Sequence, residues 1–194
     1  MADVLLPIFP LHTVLFPGGP LALRLFEPRY LDMISRCLQG DGRFGVCLIR
    51  EGHEVGPTAV TFEVGTRVRI TDWHRRADGL LGVTVLGEQR FRIDSAHRRD
   101  DGLLEAGVEL LPNEPATPVP AGLLPMVELL RRVLESAGPL YAAQPTGYDD
   151  AVWVGARLVE LLPFSLAVKQ HLLEMDGAVA RLGDWSRGGN DPRN

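Results

Sequence analysis

Several features that are common in binding and catalytic proteins are scarce in this chain of 194 residues. Lysine occurs once, at Lys169, and 25 acidic residues outnumber 20 basic ones, so that the net charge is −5. This balance argues against a broad electrostatic surface for nucleic acid or anionic membrane. Cysteine occurs twice, at Cys37 and Cys47, without a Cys-x-x-Cys motif. We expect both cysteines to be buried, reduced thiols.

Targeting and membrane signals are also missing from the sequence. No apolar run approaches the roughly 20 residues that are needed to span a bilayer. The first ten residues, MADVLLPIFP, lack the basic region and the long apolar core of a signal peptide. We therefore expect a soluble, cytoplasmic protein that has no membrane partner.

The common catalytic motifs are absent as well. The sequence has no Gly-x-x-x-x-Gly-Lys-Ser/Thr phosphate loop and no Gly-x-Ser-x-Gly elbow. Five histidines are spread along the chain without the spacing of metal ligands. Ser165 and Lys169 are four residues apart and could share a helix face as a Ser–Lys dyad. We favour a helix-capping role for Ser165, and we predict no catalytic residue, metal or cofactor.

Extended apolar segments and one tight corner dominate the beginning of the chain. Residues 4–9 and 21–26 read as strands, and Pro7 and Pro10 restrict the first to an edge or a bulged strand. The sequence Pro17-Gly18-Gly19-Pro20 between them predicts a tight corner. A helix is predicted from Pro28 to Gly40, with an apolar face of Tyr30, Leu31, Ile34 and Leu38. Residues 44–49 form a continuous apolar run, which indicates a buried strand.

The pattern changes twice after this point. Residues 64–111 alternate apolar and polar side chains, as antiparallel strands do, and Asp78-Gly79 and Asp101-Gly102 predict hairpin turns. Residues 112–125 hold five prolines, after which the apolar period becomes helical. We therefore predict a β-rich domain at 1–112, a linker at 113–125, helices at 126–186 with a last helical turn near 178–182, and a disordered tail at 187–194.

The first of these segments carries a family resemblance. The sequence FPLHTVLFPGGPLALRLFEPRY, residues 9–30, resembles the opening of the amino-terminal, substrate-binding domain of Lon-type ATP-dependent proteases. Shorter matches follow in the same order, including Phe44-Gly45-Val46, GEQRFRI at residues 87–93 and KQHLLE at residues 169–174. The resemblance implies an α+β fold, namely a PUA-like β-barrel or pseudo-barrel with one helix, followed by a small helical subdomain. It also implies a role in recognising unfolded or tagged polypeptides, here as a stand-alone domain without the ATPase and protease modules.

The leading functional hypothesis is a non-enzymatic module that binds unfolded or flexible polypeptides. Candidate contacts lie around and behind the corner: Leu15, Phe16, Pro17, Leu21, Phe26 and Tyr30. We expect Phe26 and Tyr30 to belong to the core and Leu15 and Phe16 to be exposed, so that Phe16→Asp would abolish binding without unfolding. A full-length protease and self-association are open as further partnerships.

Two alternatives belong to other classes. PUA-like folds often bind RNA, and four arginines could form a basic stripe on the sheet: Arg67, Arg69, Arg90 and Arg92. The acidic net charge opposes this interpretation, so nucleic acid is not the expected partner. A hydrolase with an unrecognised site ranks last, because no motif supports it.

Overall fold

The structure, a computed structural model, describes residues 4–56 and 59–177. The helical turn predicted near 178–182 and the tail predicted at 187–194 lie outside the described residues. The chain forms two compact units, one through Pro112 and one from Asn113. The first unit is built on a sheet and the second on helices. This division agrees with the change in the sequence from an alternating to a helical apolar period.

Seven strands and one helix make up the first unit. The strands are β1 Val4–Leu11, β2 Pro20–Leu25, β3 Arg43–Glu51, β4 Val60–Thr61, β5 Val64–Arg75, β6 Leu81–Arg98 and β7 Leu104–Leu110. Helix α1, Pro28–Gln39, lies between β2 and β3 in the chain. The strands pair in the order β1-β7-β6-β5-β3-β4, and β2 pairs with β6 beside this path. Neighbours are antiparallel, except that β1 also pairs with β3 in parallel.

The two prolines of β1 fit because its two halves pair on different sides. Residues Val4 to Ile8 pair with β7, and residues Ile8 to Leu11 pair with β3. Apart from Ile8, each position therefore has one partner strand, and a residue with one partner strand can lose its backbone donor without breaking a second ladder. Each half of β1 therefore has one unpaired side, as expected for an edge strand, although the strand as a whole has neighbours on both sides.

Helix α1 begins at its proline as predicted and ends at the cap Gly40. Its buried face consists of Tyr30, Met33, Ile34 and Cys37. Leu38 was predicted to belong to this face and is instead 45% exposed. A helix advances about 100° per residue, and the buried stripe is centred on the row from Tyr30 to Cys37, which turns Leu38 toward solvent.

The two predicted hairpin turns have the same geometry. In each, the central glycine has φ of 81°, and its N–H donates to the carbonyl of Arg76 or Arg99, three residues earlier. The aspartate before the glycine accepts a hydrogen bond from the backbone N–H two residues onward, at 3.1 Å in one turn and 2.9 Å in the other. The positive φ explains why glycine occupies both positions. The predictions of both turns are confirmed.

Apolar side chains among the described residues of the first unit pack into clusters, of which two are central to the fold. The larger packs α1 against the strands and is centred on Phe9, Leu23, Leu25, Met33, Ile34, Phe44, Val68 and Val85. The smaller joins Leu6, Ile8, Cys47, Phe91, Ala106 and Val108. Both cysteines are buried and free, as predicted, and burial, together with nearby Asp41, raises the pKa of the Cys37 thiol to about 11. A protonated, buried thiol is chemically inert.

The second unit is helical and includes the proline-rich segment. Its helices are α2 Leu124–Ser136, α3 Pro139–Ala142, α4 Ala151–Leu161 and α5 Leu166–Glu174, and a 3-10 turn, Ala121–Leu123, precedes α2. Thr117 and Val119, from the segment that composition predicts to be a linker, form backbone hydrogen bonds with residues 149–151 at the start of α4. The buried residues Val127, Leu130, Val154 and Leu158 form the core of this unit.

Candidate functional site

A groove of about 260 Å³ opens beside β2 in the first unit. Its lining comes from β1, β2, the entry to α1 and the loop after β3, and consists of Phe9, Leu11, Thr13, Leu21, Ala22, Leu23, Arg24, Leu25, Phe26, Glu27, Tyr30, Glu54 and Val55. Most of these side chains are apolar. The groove therefore suits apolar chemistry and is a candidate site for an apolar side chain of a partner.

The groove runs along the edge of β2. Six consecutive residues, from Leu21 to Phe26, contribute to its wall. Successive side chains of a strand point to opposite faces of the sheet, so a cavity over one face would meet only alternate residues. A cavity bordered by every residue indicates open space at the strand's edge, where the backbone can be reached from the side. Among the described strands, β6 is the partner of β2, and its other edge carries no strand.

Two large apolar side chains project at the groove without being covered. Phe26 is 52% exposed and Val55 is 59% exposed. Tyr30 lies deeper, 7% exposed, with its ring centroid 4.2 Å from that of Phe9. The site thus has a rigid aromatic floor and exposed apolar side chains at its opening, which is the arrangement of an apolar contact surface.

Charged residues at the groove are already engaged with neighbours. The Glu27 carboxylate accepts a 2.8 Å contact from Arg29, and Arg24 lies 3.3 Å from the Asp78 carboxylate. The backbone N–H of His12 donates to the Glu54 carboxylate over 2.6 Å. These paired polar groups surround the apolar lining of the groove. None of the pairs leaves an unbalanced charge that faces a ligand in the groove.

Arg29 fixes the entry to α1. Phe26 lies just before this helix and Tyr30 lies in its first turn. Besides Glu27, the Arg29 guanidinium donates to the Gly56 carbonyl at 2.9 Å and packs over the Tyr30 ring, 4.7 Å from the centroid. Arg29 is therefore a structural bridge between the start of α1 and the loop after β3. Glu27 precedes the helix, but its side chain makes no capping hydrogen bond and pairs with Arg29 instead.

The six sequence-predicted contact residues separate into two groups. Leu21, Phe26 and Tyr30 line the groove, whereas Leu15 and Phe16 are 5% and 1% exposed and belong to the interior. Pro17 is half-buried and is not a lining residue. The prediction that Leu15 and Phe16 are exposed is wrong, and so is the prediction that Phe26 is in the core. That Tyr30 is buried is as predicted.

Leu15 and Phe16 are buried because the backbone at the corner is tied to β5 and β6. The Thr66 hydroxyl donates to the Leu15 carbonyl at 2.5 Å. The Gly18 N–H donates to the Gly87 carbonyl, and the Gly87 N–H donates to the Gly19 carbonyl, each at 2.8 Å. Gly87 permits this approach, because a Cβ at that position would collide with the Phe16 carbonyl oxygen. Phe16→Asp would therefore place a carboxylate in the core, so this variant tests folding and not binding.

The exposure of Phe26 and the contribution of Val55 depend on contacts that are distant in the chain. Phe26 falls in the short connection between β2 and α1, where neither strand nor helix period fixes its direction. Val55 and Glu54 follow β3, more than 25 residues away from β2, and reach the groove through the fold. The nearest local signal is that Phe26 is an apolar residue two positions before the helix start at Pro28. From the sequence alone, such a residue is expected to pack in the core.

The arginines of the sheet form an ion-pair cluster and not a basic stripe. Arg43 donates to the Glu88 carboxylate at 2.7 Å, and Arg67 and Arg69 lie 3.6 and 3.2 Å from it. Glu88 is the extra residue of a β-bulge in β6, which directs its side chain toward these arginines. Arg90, another member of the predicted stripe, is buried. Arg67 and Arg69 thus share the Glu88 carboxylate and Arg90 is buried, whereas Arg92 is exposed, so the four arginines do not present a continuous basic stripe.

The similarity of the whole chain to known proteins agrees with this architecture. The family model of the ATP-dependent protease La (LON) substrate-binding domain matches residues 5–185. The chain belongs to the Lon substrate-binding domain family. The resemblance inferred from residues 9–30 is therefore confirmed, and it extends over both units.

Solved structures of Lon N-terminal domains have the same fold. A Lon N-terminal domain protein from Xanthomonas campestris superposes with a TM-score of 0.79 at 35% sequence identity, over 95% of this chain and 98% of that one. The N-terminal domain of a Mycobacterium avium complex Lon protease gives 0.63 at 18% identity, over 96% and 100% of the two chains. The second match supports the fold alone. The α+β class predicted from the sequence, a largely antiparallel sheet with separate helices, is confirmed.

The domain that these matches identify is the substrate-binding domain of Lon, which is not catalytic. The one serine–lysine pair considered as a dyad has structural roles. The Ser165 hydroxyl caps α5 and accepts from the Val168 N–H at 3.3 Å, as predicted. The Lys169 ammonium donates to the Glu160 carbonyl at 2.8 Å, at the end of α4. Partial burial lowers the pKa of Lys169, against the opposing effect of Glu160.

Two further observations concern metals and membranes. Within residues 4–56 and 59–177, no group of three or more histidine, cysteine or acidic side chains is placed to hold a metal ion. None of the helices in that part of the chain has the length and apolarity needed to cross a bilayer.

Proposed function

We propose that this domain is a non-enzymatic binding module that takes unfolded or flexible polypeptide segments into the groove beside β2. The observation that carries the proposal is Phe26, a large aromatic side chain left 52% exposed at an apolar groove. The chain belongs to a family of substrate-binding domains, which supports a polypeptide as the ligand. An aromatic anchor next to a pocket is the usual centre of binding energy in protein interfaces.

The size and chemistry of the groove favour polypeptides over small molecules. A volume of about 260 Å³ is below the roughly 300–1,000 Å³ of clefts that enclose drug-sized ligands. It is enough for one or two apolar side chains. Folded proteins keep such side chains in their cores, whereas unfolded ones expose them in flexible segments. Unfolded proteins can present an apolar side chain on an exposed, extended segment, and folded proteins rarely can. The groove should therefore select unfolded chains.

The two cysteines favour a reducing compartment as the cellular setting. Cys37 and Cys47 are free and deeply buried. Unpaired thiols in a stable core are typical of proteins from reducing compartments. We therefore place the proposed activity in the cytoplasm, where unfolded clients of a proteolytic system arise.

Binding of a permanently unfolded protein tests the proposal. Fluorescent ribonuclease A with its disulfides reduced and alkylated is titrated with the domain, and native ribonuclease A serves as the folded control. We expect the unfolded form alone to bind. Phe26→Asp should weaken binding at least tenfold, because a carboxylate replaces the apolar anchor. Circular dichroism verifies that the variant is folded.

A matched variant separates the site from general surface effects. Trp73 is an aromatic residue of the same unit that is 59% exposed and lies outside the groove lining. Trp73→Asp introduces the same charge and should leave the dissociation constant within about twofold of the unmodified protein. Equal binding by Phe26→Asp and the unmodified domain would contradict the proposal.

A further inference from the structure

We infer that the bound polypeptide is held as an added β-strand on the outer edge of β2, so that the site recognises main chain first and side chains second. The inference rests on the proposed function and specifies its mode. Strand addition requires a free edge, room for an extended segment beside it, and a pocket for alternate side chains. The groove beside β2 provides each of these.

The free edge follows from the sheet pairing. All six residues of β2, from Pro20 to Leu25, pair with Leu81 to Leu86 of β6 on one side. In an antiparallel pair, alternate residues direct their N–H and C=O groups toward the partner, and the others direct theirs away. In the described part of the chain, no strand meets the groups that point away from β6. The backbone along the groove is therefore available for a new ladder.

The room beside the edge follows from the groove lining. Every residue from Leu21 to Phe26 borders the cavity, which places open space next to the backbone along the strand. At about 3.3 Å per residue, β2 offers an edge of roughly 20 Å, enough to pair with an extended segment of about six residues. The other short edge strand, β4, has two residues, Val60 and Thr61, and is too short for such pairing.

The edge also lacks the usual protections against pairing. Natural edge strands are blunted by bulges, prolines or several charges. The register of β2 with β6 is continuous, its proline stands at the first position, and its one charged residue, Arg24, is engaged by Asp78. An apolar, regular, six-residue edge that is left open in this way is fitted to pair with another strand.

Strand addition names the class of client. Main-chain hydrogen bonds are independent of sequence, so that many segments can bind with the same geometry. Phe26 and Val55, at the opening of the groove, would contact side chains on one face of the added strand, which are every second residue. The preferred clients are therefore segments with apolar residues at alternate positions and no proline, which are the strands of other proteins when these unfold.

Backbone methylation tests this mode without changing the domain. The probes are three fluorescent octapeptides of alternating leucine and threonine. One is unmodified, one is N-methylated at every leucine and one at every threonine. Both methylated peptides have the same side chains and the same number of methyl groups. They differ in which row of N–H groups is blocked, and in an added strand that runs antiparallel to β2 the leucine side chains fix which row faces β2.

We expect one methylated peptide to bind within about twofold of the unmodified peptide and the other to bind at least tenfold more weakly. Equal binding by all three would mean that the groove captures side chains alone, which overturns strand addition and leaves the proposed function intact. Equal loss by both methylated peptides also overturns it. Failure of both the unmodified peptide and unfolded ribonuclease to bind would overturn the proposed function itself. A dimer that excludes the peptide, detected by sedimentation, would assign the edge to a second copy of the chain and refute the inference.

Discussion

Truncating two phenylalanines that lie ten residues apart should have very different effects on stability. Phe16 is 1% exposed and contributes to the interior, whereas Phe26 is 52% exposed at the groove. Both belong to the first unit, so both variants report on the same unfolding transition. We compare Phe16→Ala with Phe26→Ala, because alanine removes the ring without adding a charge.

The size of each effect follows from buried area. A fully buried phenylalanine removes roughly 200 Å² from water, which at about 25 cal/mol per Å² corresponds to about 5 kcal/mol. Measured Phe→Ala costs in cores are about 3–5 kcal/mol. Phe26 buries about half of its surface, and its removal at the protein surface leaves no enclosed cavity. We expect about 4 kcal/mol of lost unfolding free energy for Phe16→Ala and at most about 2 kcal/mol for Phe26→Ala.

Urea denaturation followed by far-ultraviolet circular dichroism measures both values. The comparison is valid where the two variants keep the same dependence of free energy on urea, because that slope reports the surface exposed on unfolding. Equal losses of stability in the two variants would refute the assignment of Phe16 to the interior and of Phe26 to the surface. Such a result would also remove the reason for choosing Phe26 as the binding residue.

Two further predictions concern ion pairs. Burial raises the pKa of Glu88, but the hydrogen bond and charge of Arg43, with the nearby charges of Arg67 and Arg69, outweigh this effect and hold it below the ordinary value of 4.5. Its stabilising effect should therefore be complete above about pH 4.5 and be lost as the pH falls through the lower folded pKa. Urea titrations should show Glu88→Gln less stable than the unmodified protein at pH 7, with the gap closing on acidification; a gap independent of pH would contradict this. In α4, the buried pair Arg157–Glu160, 2.8 Å apart, should make Glu160→Gln cost about 3–5 kcal/mol. The exposed pair Arg131–Glu128 has the same i,i+3 spacing, so Glu128→Gln should cost less than about 1 kcal/mol; similar costs for both would refute the difference in burial.

Local patterns of the sequence predict the elements of this fold well. The turns at Asp78-Gly79 and Asp101-Gly102 depend on residues within five positions, so their geometry can be inferred without the rest of the chain. The same holds for the cap at Ser165, where the hydroxyl meets a backbone N–H three residues away. In these cases the groups that determine the structure are close together in the chain.

The candidate site was predicted only in part, because it depends on distant contacts. Leu15 and Phe16 look available next to a proline–glycine corner, but Thr66 and Gly87, about 50 and 70 residues onward, tie that corner to the sheet. Glu88 and Arg43 are likewise 45 residues apart in the chain, so an apparent stripe of charge can meet a carboxylate that the local sequence does not reveal. Composition and period do not carry this information. Leu21 and Phe26 could be named as candidate contacts from the strand and its end, but the exposure of Phe26 could not be predicted from them.

Hydrogen–deuterium exchange can locate the polypeptide-binding site on the domain. The domain is measured alone and with saturating reduced, alkylated ribonuclease A, and protection is read for each peptide fragment. We expect added protection to be concentrated at residues 20–27, along β2 and Phe26, and at residues 53–56, beside Val55. Protection confined to the face with Arg67 and Arg69, or to the helical unit, would contradict a polypeptide site at the edge of β2.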